Sequence, residues 1–216
     1  MGFADVTPNE LSVLMPIGFA ISFSGRIASG KTTITQTLSD VLRWRRVGFS
    51  DYLRHVFEGQ GSSDPTREQL QDLGQSLVAK DPDQFCRDVL ALGGFSPGEN
   101  IILDGIRHAD IQSRLARLVK PSRAVLIHLA ASGELARQRV EKRGASDEEF
   151  RRASEHAVEQ DLLKSLPSCA NHIVDAALPL LDVVSRCIDA MNVSGVDEDA
   201  LAQARDRLGL MRDLAN

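Results

Sequence analysis

The residues with the clearest chemistry form a glycine-rich loop near the start of the chain. Residues 25–32 read GRIASGKT and match the phosphate-binding pattern G-x-x-x-x-G-K-[ST] in full. Such a loop turns successive backbone N–H groups toward phosphate oxygens, its lysine reaches the β and γ phosphates, and its last hydroxyl ligates Mg²⁺. The pattern therefore predicts a site for ATP and Mg²⁺, with Lys31 as a catalytic residue. The predicted nucleotide-binding residues are Gly25, Arg26, Ile27, Ala28, Ser29, Gly30, Lys31, Thr32 and Thr33.

A carboxylate follows a second apolar stretch. Residues 100–103 predict a short buried strand, and Asp104 comes directly after it. In a parallel sheet the carboxyl end of a strand faces the ligand crevice. We therefore expect Asp104 to hold a water of the magnesium shell, with Thr32 as the other metal residue. The alternative is an aspartate in a solvent-facing turn before Gly105.

Short apolar runs and helical patterns alternate along the rest of the chain. Strands are predicted at residues 17–24, 47–49, 100–103, 124–130 and 172–174. Apolar residues at helical spacing separate them, which predicts an α/β fold: a three-layer sandwich whose parallel sheet has roughly five strands. Residues 1–16 are predicted to be an N-terminal extension. Residues 194–216 predict an amphipathic helix that either packs on the same domain or forms a dimer contact.

Composition narrows the class of protein. The chain has 216 residues, a formal net charge of -5, and 25 lysines and arginines, of which only five are lysines. A negative net charge argues against a protein that coats nucleic acid or anionic membrane. The three cysteines, Cys86, Cys169 and Cys187, are widely spaced, which fits a reducing compartment. Because no pattern of a signal peptide or membrane span is present, the expected location is the cytoplasm.

The order of four motifs resembles that of the nucleoside monophosphate kinases. The motifs are GRIASGKT at 25–32, FSDYLR at 49–54, ILDGIRH at 102–108 and RQRVEKR at 137–143. Their compact arrangement is similar to phage-type deoxynucleoside monophosphate kinases and dephospho-coenzyme A kinases. The resemblance covers roughly residues 19–188, and the phosphate loop is its one highly specific motif. It implies a P-loop kinase domain over residues 17–193, with a helical acceptor-binding insert at about 50–93 and a short lid at about 137–152.

The resemblance also implies roles for arginines. In adenylate kinase-like proteins a Leu-Arg pair and an arginine after the third motif's Asp-Gly clamp the acceptor phosphate, and Leu53-Arg54 and Arg107 stand at similar positions. Lid arginines close over the transferring phosphoryl group; Arg139 and Arg143, four residues apart, share a helix face. The alternative for each is a solvated surface charge. The implied catalytic residues are Lys31, Arg107, Arg139, Arg143 and Asp51, and the implied acceptor-binding residues are Asp51, Arg54, Asp104 and Arg107.

The sequence leaves two kinds of acceptor open, a phosphate and a hydroxyl. A phosphate acceptor is already ionised at pH 7 and needs arginines, whereas a hydroxyl acceptor needs a base. Dephospho-coenzyme A kinase-like proteins place a carboxylate where Asp51 stands, although Asp51 can equally cap a helix. Arg54 and Arg107 favour the phosphate. We therefore predict Mg²⁺-dependent transfer of the ATP γ-phosphoryl group to a small phosphorylated acceptor, most simply a nucleoside or deoxynucleoside monophosphate.

Two alternatives accompany this prediction. One is transfer to a hydroxyl with Asp51 as the base. The other is a nucleotide-binding regulatory NTPase, which needs the phosphate loop and Asp104 but makes no demand on Arg54 or Arg107. The expected partners are ATP and the acceptor, without nucleic acid or membrane, and the expected state is a monomer or homodimer.

Overall fold

Five parallel strands form the central sheet of the computed structural model, which describes residues 17–62, 64–142, 144 and 147–215. The strands are β1 (Phe19–Ser24), β2 (Arg45–Gly48), β3 (Ile101–Asp104), β4 (Arg123–Ala130) and β5 (His172–Asp175), and they lie in the order β2-β3-β1-β4-β5. All five predicted strands are present, and the predicted α/β fold with a parallel five-stranded sheet is confirmed. The predicted N-terminal extension at residues 1–16 lies outside the described residues.

The register of the central strands aligns the carboxyl ends that matter for function. Every residue of β1 and β3 is buried, as expected for strands covered on both faces. Phe23 of β1 lies beside Asp104 of β3, and Gly48 of β2 lies beside the same aspartate. The loop after β1, the end of β3 and the helix after β2 therefore meet at one edge of the sheet.

Ten helices of the described chain cover the two faces of the sheet. They are α1 (Lys31–Leu42), α2 (Phe49–Gly59), α3 (Arg67–Lys80), α4 (Pro82–Leu92), α5 (Ala109–Leu118), α6 (Gly133–Glu141), α7 (Asp147–Glu155), α8 (Ala157–Cys169), α9 (Leu180–Val193) and α10 (Glu198–Ala215). Apolar residues of α1, α9 and α10 form the core on one face, and those of α2, α3, α4, α5 and α8 form the core on the other.

Two helices of the insert between β2 and β3 begin at well-defined N-terminal caps. Thr66 Oγ1 accepts the Gln69 backbone N–H at 3.2 Å, and Gln69 Oε1 accepts the Thr66 N–H at 2.8 Å, so the two residues form a capping box at the start of α3. Asp81 accepts the Gln84 N–H at 2.9 Å and is followed by Pro82 at the first position of α4. The insert is therefore a set of helices that stands over the carboxyl edge of β2 and β3.

The C-terminal helix α10 packs on the domain that precedes it. Leu201, Ala204 and Leu208 are buried in the same core as α1 and α9, and Arg207 donates to the backbone oxygen of Val41 at 2.5 Å. The amphipathic pattern of residues 194–216 thus begins as a helix at Glu198. Across the residues described, no helix is long and apolar enough to cross a membrane.

Candidate functional site

A pocket of about 290 Å³ opens at the carboxyl edge of the sheet. Its floor is the phosphate loop and the start of α1, and its far wall is the helical insert. The residues on the loop side are Ile27, Ala28, Gly30, Lys31, Thr32 and Thr33. The residues on the insert side include Phe49, Asp51, Leu53, Arg54, Arg67, Leu70, Gln71 and Phe85, and Asp104 and Arg107 lie between the two sides. The pocket therefore joins the predicted nucleotide site to the predicted acceptor site.

The loop between β1 and α1 has a backbone that its glycines make possible. Gly25 and Gly30 have φ values of 142° and 93°, which favour glycine. A Cβ on Gly25 would lie 2.6 Å from the Leu129 backbone oxygen, so a side chain there would collide with β4. Helix α1 starts at Lys31, directly after Gly30. The positive end of this helix is thereby aimed at the loop, as phosphate binding requires.

Lys31 is a buried cation at the centre of this loop. Its residue is 9% exposed, and its Nζ donates to the backbone oxygens of Gly25 and, at 2.8 Å, Arg26. Burial, and then the nearby charge of Arg107, lower the pKa of Lys31 to about 7, whereas the charges of Glu159 and Asp104 act in the opposite direction. A phosphate at this position would supply the anion that this cation lacks.

Arg46 on β2 holds both carboxylates of the site. Its Nη2 lies 2.6 Å from Asp104 Oδ2, its Nη1 lies 3.0 Å from Asp51 Oδ2, and its Nε donates to Thr35 Oγ1 at 2.9 Å. Asp51 Oδ2 also accepts the Gly48 N–H at 2.8 Å, so Asp51 caps α2 as well as lining the pocket. The position of Arg46 is not evident from the sequence, because it depends on the pairing of β2 with β3.

Asp104 has one oxygen free for a ligand. The residue is 3% exposed, and Arg46 binds Oδ2 while Oδ1 has no hydrogen-bond partner among the described residues. Thr32, in the first turn of α1, is exposed and lines the same pocket. Mg²⁺ takes hard oxygen ligands and usually combines one or two protein groups with phosphates and water. Asp104 and Thr32 fit such an ion, directly or through water.

Glu159 of α8 lies against the phosphate loop. It is 1% exposed, its Oε1 accepts the Ile27 backbone N–H at 2.5 Å, and its Oε2 forms an ion pair with Arg107. Its carboxylate thus accepts a hydrogen bond from a loop N–H and pairs with an arginine, and both of these groups can also bind phosphate. No spacing in the sequence reveals this contact, because Glu159 is 132 residues from Ile27.

The variant Glu159→Gln should bind inorganic pyrophosphate about tenfold more tightly than wild type, because a neutral amide no longer competes with the anion or repels it. Isothermal titration of the wild-type chain and Glu159→Gln measures the two dissociation constants. Glu155→Gln, at an exposed position of α7, is the matched control and should leave binding unchanged. Weaker binding by Glu159→Gln would show instead that the carboxylate supports the loop.

A family model described as an AAA domain matches residues 21–162, which is more than half of the chain. The chain belongs to the AAA domain family. The matched range begins in β1 and ends in α8, so it includes the phosphate loop, Asp104, Arg107 and Glu159. No curated protein matches this AAA domain in sequence.

Solved structures with the same fold include several kinases. The shikimate kinase from Acinetobacter baumannii in complex with shikimate has a TM-score of 0.56 and 13% identity over 88% of this chain and 100% of that one. The shikimate kinase from Aquifex aeolicus has a TM-score of 0.54 and 17% identity over 82% and 99%. The shikimate kinase from Bacteroides thetaiotaomicron has a TM-score of 0.50 and 16% identity over 81% and 98%. The expected P-loop kinase fold is confirmed by these likenesses.

The arginines that the sequence singled out take different positions in this AAA domain. Arg54 on α2 is exposed and lines the pocket, and no carboxylate of the described residues pairs with it. Arg107 lines the pocket beside Lys31 and is paired with Glu159. The structure thus brings two of the four arginines together at the predicted acceptor site.

The lid arginines are placed only in part. Arg139 of α6 donates to the backbone oxygens of Ser29 at 2.8 Å and Ala176 at 2.7 Å, so it ties the phosphate loop to the segment after β5. Arg143 lies outside the described residues, so its shared face with Arg139 stays a prediction. Arg151 and Arg152 pair with glutamates on the exposed side of α7.

A buried polar pair lies where β1 and β4 end. Ser24 Oγ lies 3.0 Å from His128 Nδ1, and both residues are buried. Ser24 directly precedes the phosphate loop, and His128 lies beside it on β4. Burial, and then the charge of Lys31, lower the pKa of His128 from its ordinary value of 6.5. The folded protein therefore holds this imidazole in its neutral form at pH 7.

The free energy of unfolding should fall as the pH drops below 6.5. A base whose pKa is lower in the folded state is protonated first in the unfolded chain, so its contribution is intact above the unfolded pKa and is lost as the pH falls toward the folded value. Urea unfolding of wild type and His128→Asn at pH 7.5 and pH 5.5 measures this. The variant should lose less stability than wild type; an equal loss would assign the pH dependence to other groups.

Proposed function

We propose that this AAA domain is an ATP- and Mg²⁺-dependent phosphotransferase that acts on a small phosphorylated acceptor, most simply a nucleoside or deoxynucleoside monophosphate. The observation that carries the proposal is the arginine-lined continuation of the nucleotide pocket. Arg54, Arg67 and Arg107 line the pocket beyond the phosphate loop, on the side of the helical insert. Hydrolysis of ATP alone would not require these cations, whereas a doubly charged acceptor would.

The nucleotide end of the pocket supplies the donor groups. Backbone N–H groups of the loop and Lys31 Nζ would bind the β and γ phosphates, and Thr32 and Asp104 would hold Mg²⁺. When bound, Mg²⁺ neutralises charge on the phosphates of ATP. Arg139, which donates to the backbone oxygens of Ser29 in the loop and of Ala176 after β5, fixes the position of the loop at Ser29. These residues position the γ-phosphoryl group at the boundary with the acceptor site.

The acceptor end of the pocket favours a phosphate nucleophile. A phosphate oxygen is ionised at pH 7, so the residues around it need to overcome repulsion between two anions rather than remove a proton. Arg54 and Arg107 supply that positive charge at the pocket wall. In the free protein Arg107 pairs with Glu159, so acceptor binding would exchange one anionic partner for another.

A second candidate function is transfer to a hydroxyl, and Asp51 is the observation that favours it. Asp51 is the carboxylate of the insert that lines the pocket, although its Oδ2 is taken by Gly48 N–H and Arg46. A hydroxyl acceptor would use the other oxygen, Oδ1, as the base. The shikimate kinases with this fold carry no argument for either acceptor, because their identity to this chain is too low.

The activity test is ADP release by the purified full chain in the presence of ATP and Mg²⁺. The acceptors are the nucleoside and deoxynucleoside monophosphates, with dephospho-coenzyme A and shikimate as hydroxyl acceptors. The proposal predicts ADP release that depends on one or a few monophosphates. Release at the same rate without any acceptor would overturn it and favour a regulatory NTPase.

The variant Asp51→Asn separates the two acceptor chemistries. Asparagine keeps an oxygen for the Gly48 N–H but cannot remove a proton, so we expect kcat to fall by less than about tenfold if the nucleophile is a phosphate. Loss of a general base typically costs about 10²–10⁴-fold. Steady-state kinetics with the best acceptor measures the change, and a loss in that larger range would favour the hydroxyl.

A further inference from the structure

Gln71 is a buried polar residue of the pocket whose hydrogen bonding is only half complete. It lies on α3, is 5% exposed and lines the pocket from the side of the helical insert. Its Nε2 donates to the Ala153 backbone oxygen of α7 at 3.1 Å. Its Oε1 is buried and has no hydrogen-bond partner among the described residues.

The Ala153 contact fixes the orientation of the Gln71 amide. A backbone carbonyl oxygen can only accept a hydrogen bond, so the NH₂ group of Gln71 must face Ala153 and Oε1 must face away from it. Leaving a buried acceptor unpaired costs free energy, because its hydrogen bond to water is lost and nothing replaces it. An N–H or O–H group of a ligand in the pocket would remove that cost.

The surroundings of Gln71 define what kind of ligand can reach it. Two polar residues of the same helix, Arg67 and Gln75, line the pocket one turn to either side of Gln71. The rest of this wall is mostly apolar, with the side chains of Leu53, Leu70, Val78, Phe85 and Ile111. Phe85 forms an edge-to-face pair with Phe49 at 5.3 Å, and both rings line the pocket. On the same helix Gly74 also lines the pocket, and a Cβ there would lie 3.3 Å from Leu53 Cδ1, so the glycine lets Leu53 pack closely against α3. A largely apolar wall that carries one buried acceptor without a partner, Gln71 Oε1, fits a planar ring with an N–H donor.

We infer that Gln71 determines acceptor specificity by accepting a hydrogen bond from an N–H group of a nucleobase, which lies against the largely apolar wall while its phosphate lies on Arg54 and Arg107. This inference rests on the proposed function and names the uncharged part of the acceptor. Because the same amide binds Ala153 of α7, Gln71 links the recognised base to the segment that follows the lid. Gln71 acts in binding and takes no part in the transfer of the phosphoryl group.

The test combines one protein change with one ligand change. Wild type and Gln71→Met are titrated with pairs of monophosphates that differ by a single donor: guanosine and inosine for an exocyclic amine, adenosine and purine riboside for another, and uridine and 3-methyluridine for a ring N–H. A ribose and deoxyribose pair tests the sugar. Methionine keeps the length of the side chain but removes both polar groups, and Gln36→Met, at an exposed position of α1 bonded to Asp40, is the matched control.

In wild type, loss of the donor that Gln71 recognises should weaken binding by about 10–100-fold, because the buried oxygen is left unpaired again. In Gln71→Met the same two ligands should bind within about twofold, since no acceptor remains to distinguish them. Gln36→Met should behave as wild type. ATP affinity should be equal in all three proteins, which separates an effect on the acceptor from an effect on the fold.

Other outcomes would overturn the inference. If every base pair shows the same ratio in wild type and Gln71→Met, Gln71 does not recognise the base. If only the ribose and deoxyribose pair loses its discrimination, the oxygen binds the sugar and the base assignment is wrong. If no monophosphate binds wild type at all while ATP does, the proposed function fails, which is a different result from a failure of Gln71 alone.

Discussion

The variant Lys31→Ala should lose phosphoryl transfer, with kcat/KM lower by at least about 10³-fold, because preorganised charge at the transferring phosphate is the largest catalytic contribution in this type of reaction. Among the residues that the structure describes, Lys31 is the one lysine that lines the pocket, and its Nζ is held at the loop by backbone oxygens. Steady-state kinetics with saturating ATP and acceptor measures the loss. Lys80→Ala, at an exposed position at the end of α3, is the control and should retain full activity.

The same variant should not unfold more easily than wild type. Because burial lowers the pKa of Lys31 to about 7, folding disfavours the charged lysine, and its removal relieves that cost. Thermal unfolding at pH 7 should therefore give an equal or higher midpoint for Lys31→Ala. Inactivity together with a lower midpoint would mean that the lysine supports the fold, and the catalytic interpretation would lose its basis.

Removal of Arg54 and Arg107, two of the arginines that line the pocket, should abolish transfer while ATP binding remains. Arg107 cannot simply be replaced, since Glu159 would then be left buried without its partner, and breaking a buried pair costs about 3–5 kcal/mol. We therefore compare Arg54→Ala/Arg107→Ala/Glu159→Gln with Glu159→Gln alone. The triple variant should lose about 10³-fold or more in kcat/KM, since the acceptor charge is no longer neutralised.

Three measurements make the arginine result decisive. ATP affinity by isothermal titration should agree within about threefold between the two proteins, because neither arginine belongs to the phosphate loop. Arg45→Ala, at an exposed position at the start of β2, is the control for loss of a surface arginine. ATP turnover that survives in the triple variant at the rate of Glu159→Gln would identify an NTPase, in which the arginines have no part.

The parts of the site that follow from the sequence are those in which the chemistry is local. The phosphate loop occupies eight consecutive residues, and its glycines take the positive φ values that the pattern requires. Asp104 was expected at the end of a buried strand, and the structure places it there because the apolar run before it forms β3. Strand β2 is predicted at residues 47–49 but runs over Arg45–Gly48, because its first two residues are arginines and do not belong to an apolar run.

The parts that the sequence does not reveal depend on contacts between distant elements. From the sequence alone Arg46 resembles any surface charge. The pairing of β2 with β3 brings its guanidinium to Asp104. Glu159 reads as one acid among several in a charged helical region until α8 packs against the phosphate loop. Gln71 reads as one of several glutamines of the insert, and only its burial and its contact with Ala153 distinguish it. Tertiary packing creates the contacts that distinguish all three residues.

The most direct test of the central claim is to follow the γ-phosphorus of ATP by ³¹P NMR in a reaction that contains the full chain, Mg²⁺ and the best monophosphate of the panel. The proposed function predicts that this phosphorus appears as the terminal phosphate of a second nucleoside diphosphate, in equal amount to ADP. A new phosphomonoester signal would mean a hydroxyl acceptor. Accumulation of inorganic phosphate in equal amount to ADP, with the monophosphate unchanged, would contradict the claim that this pocket transfers a phosphoryl group to an acceptor.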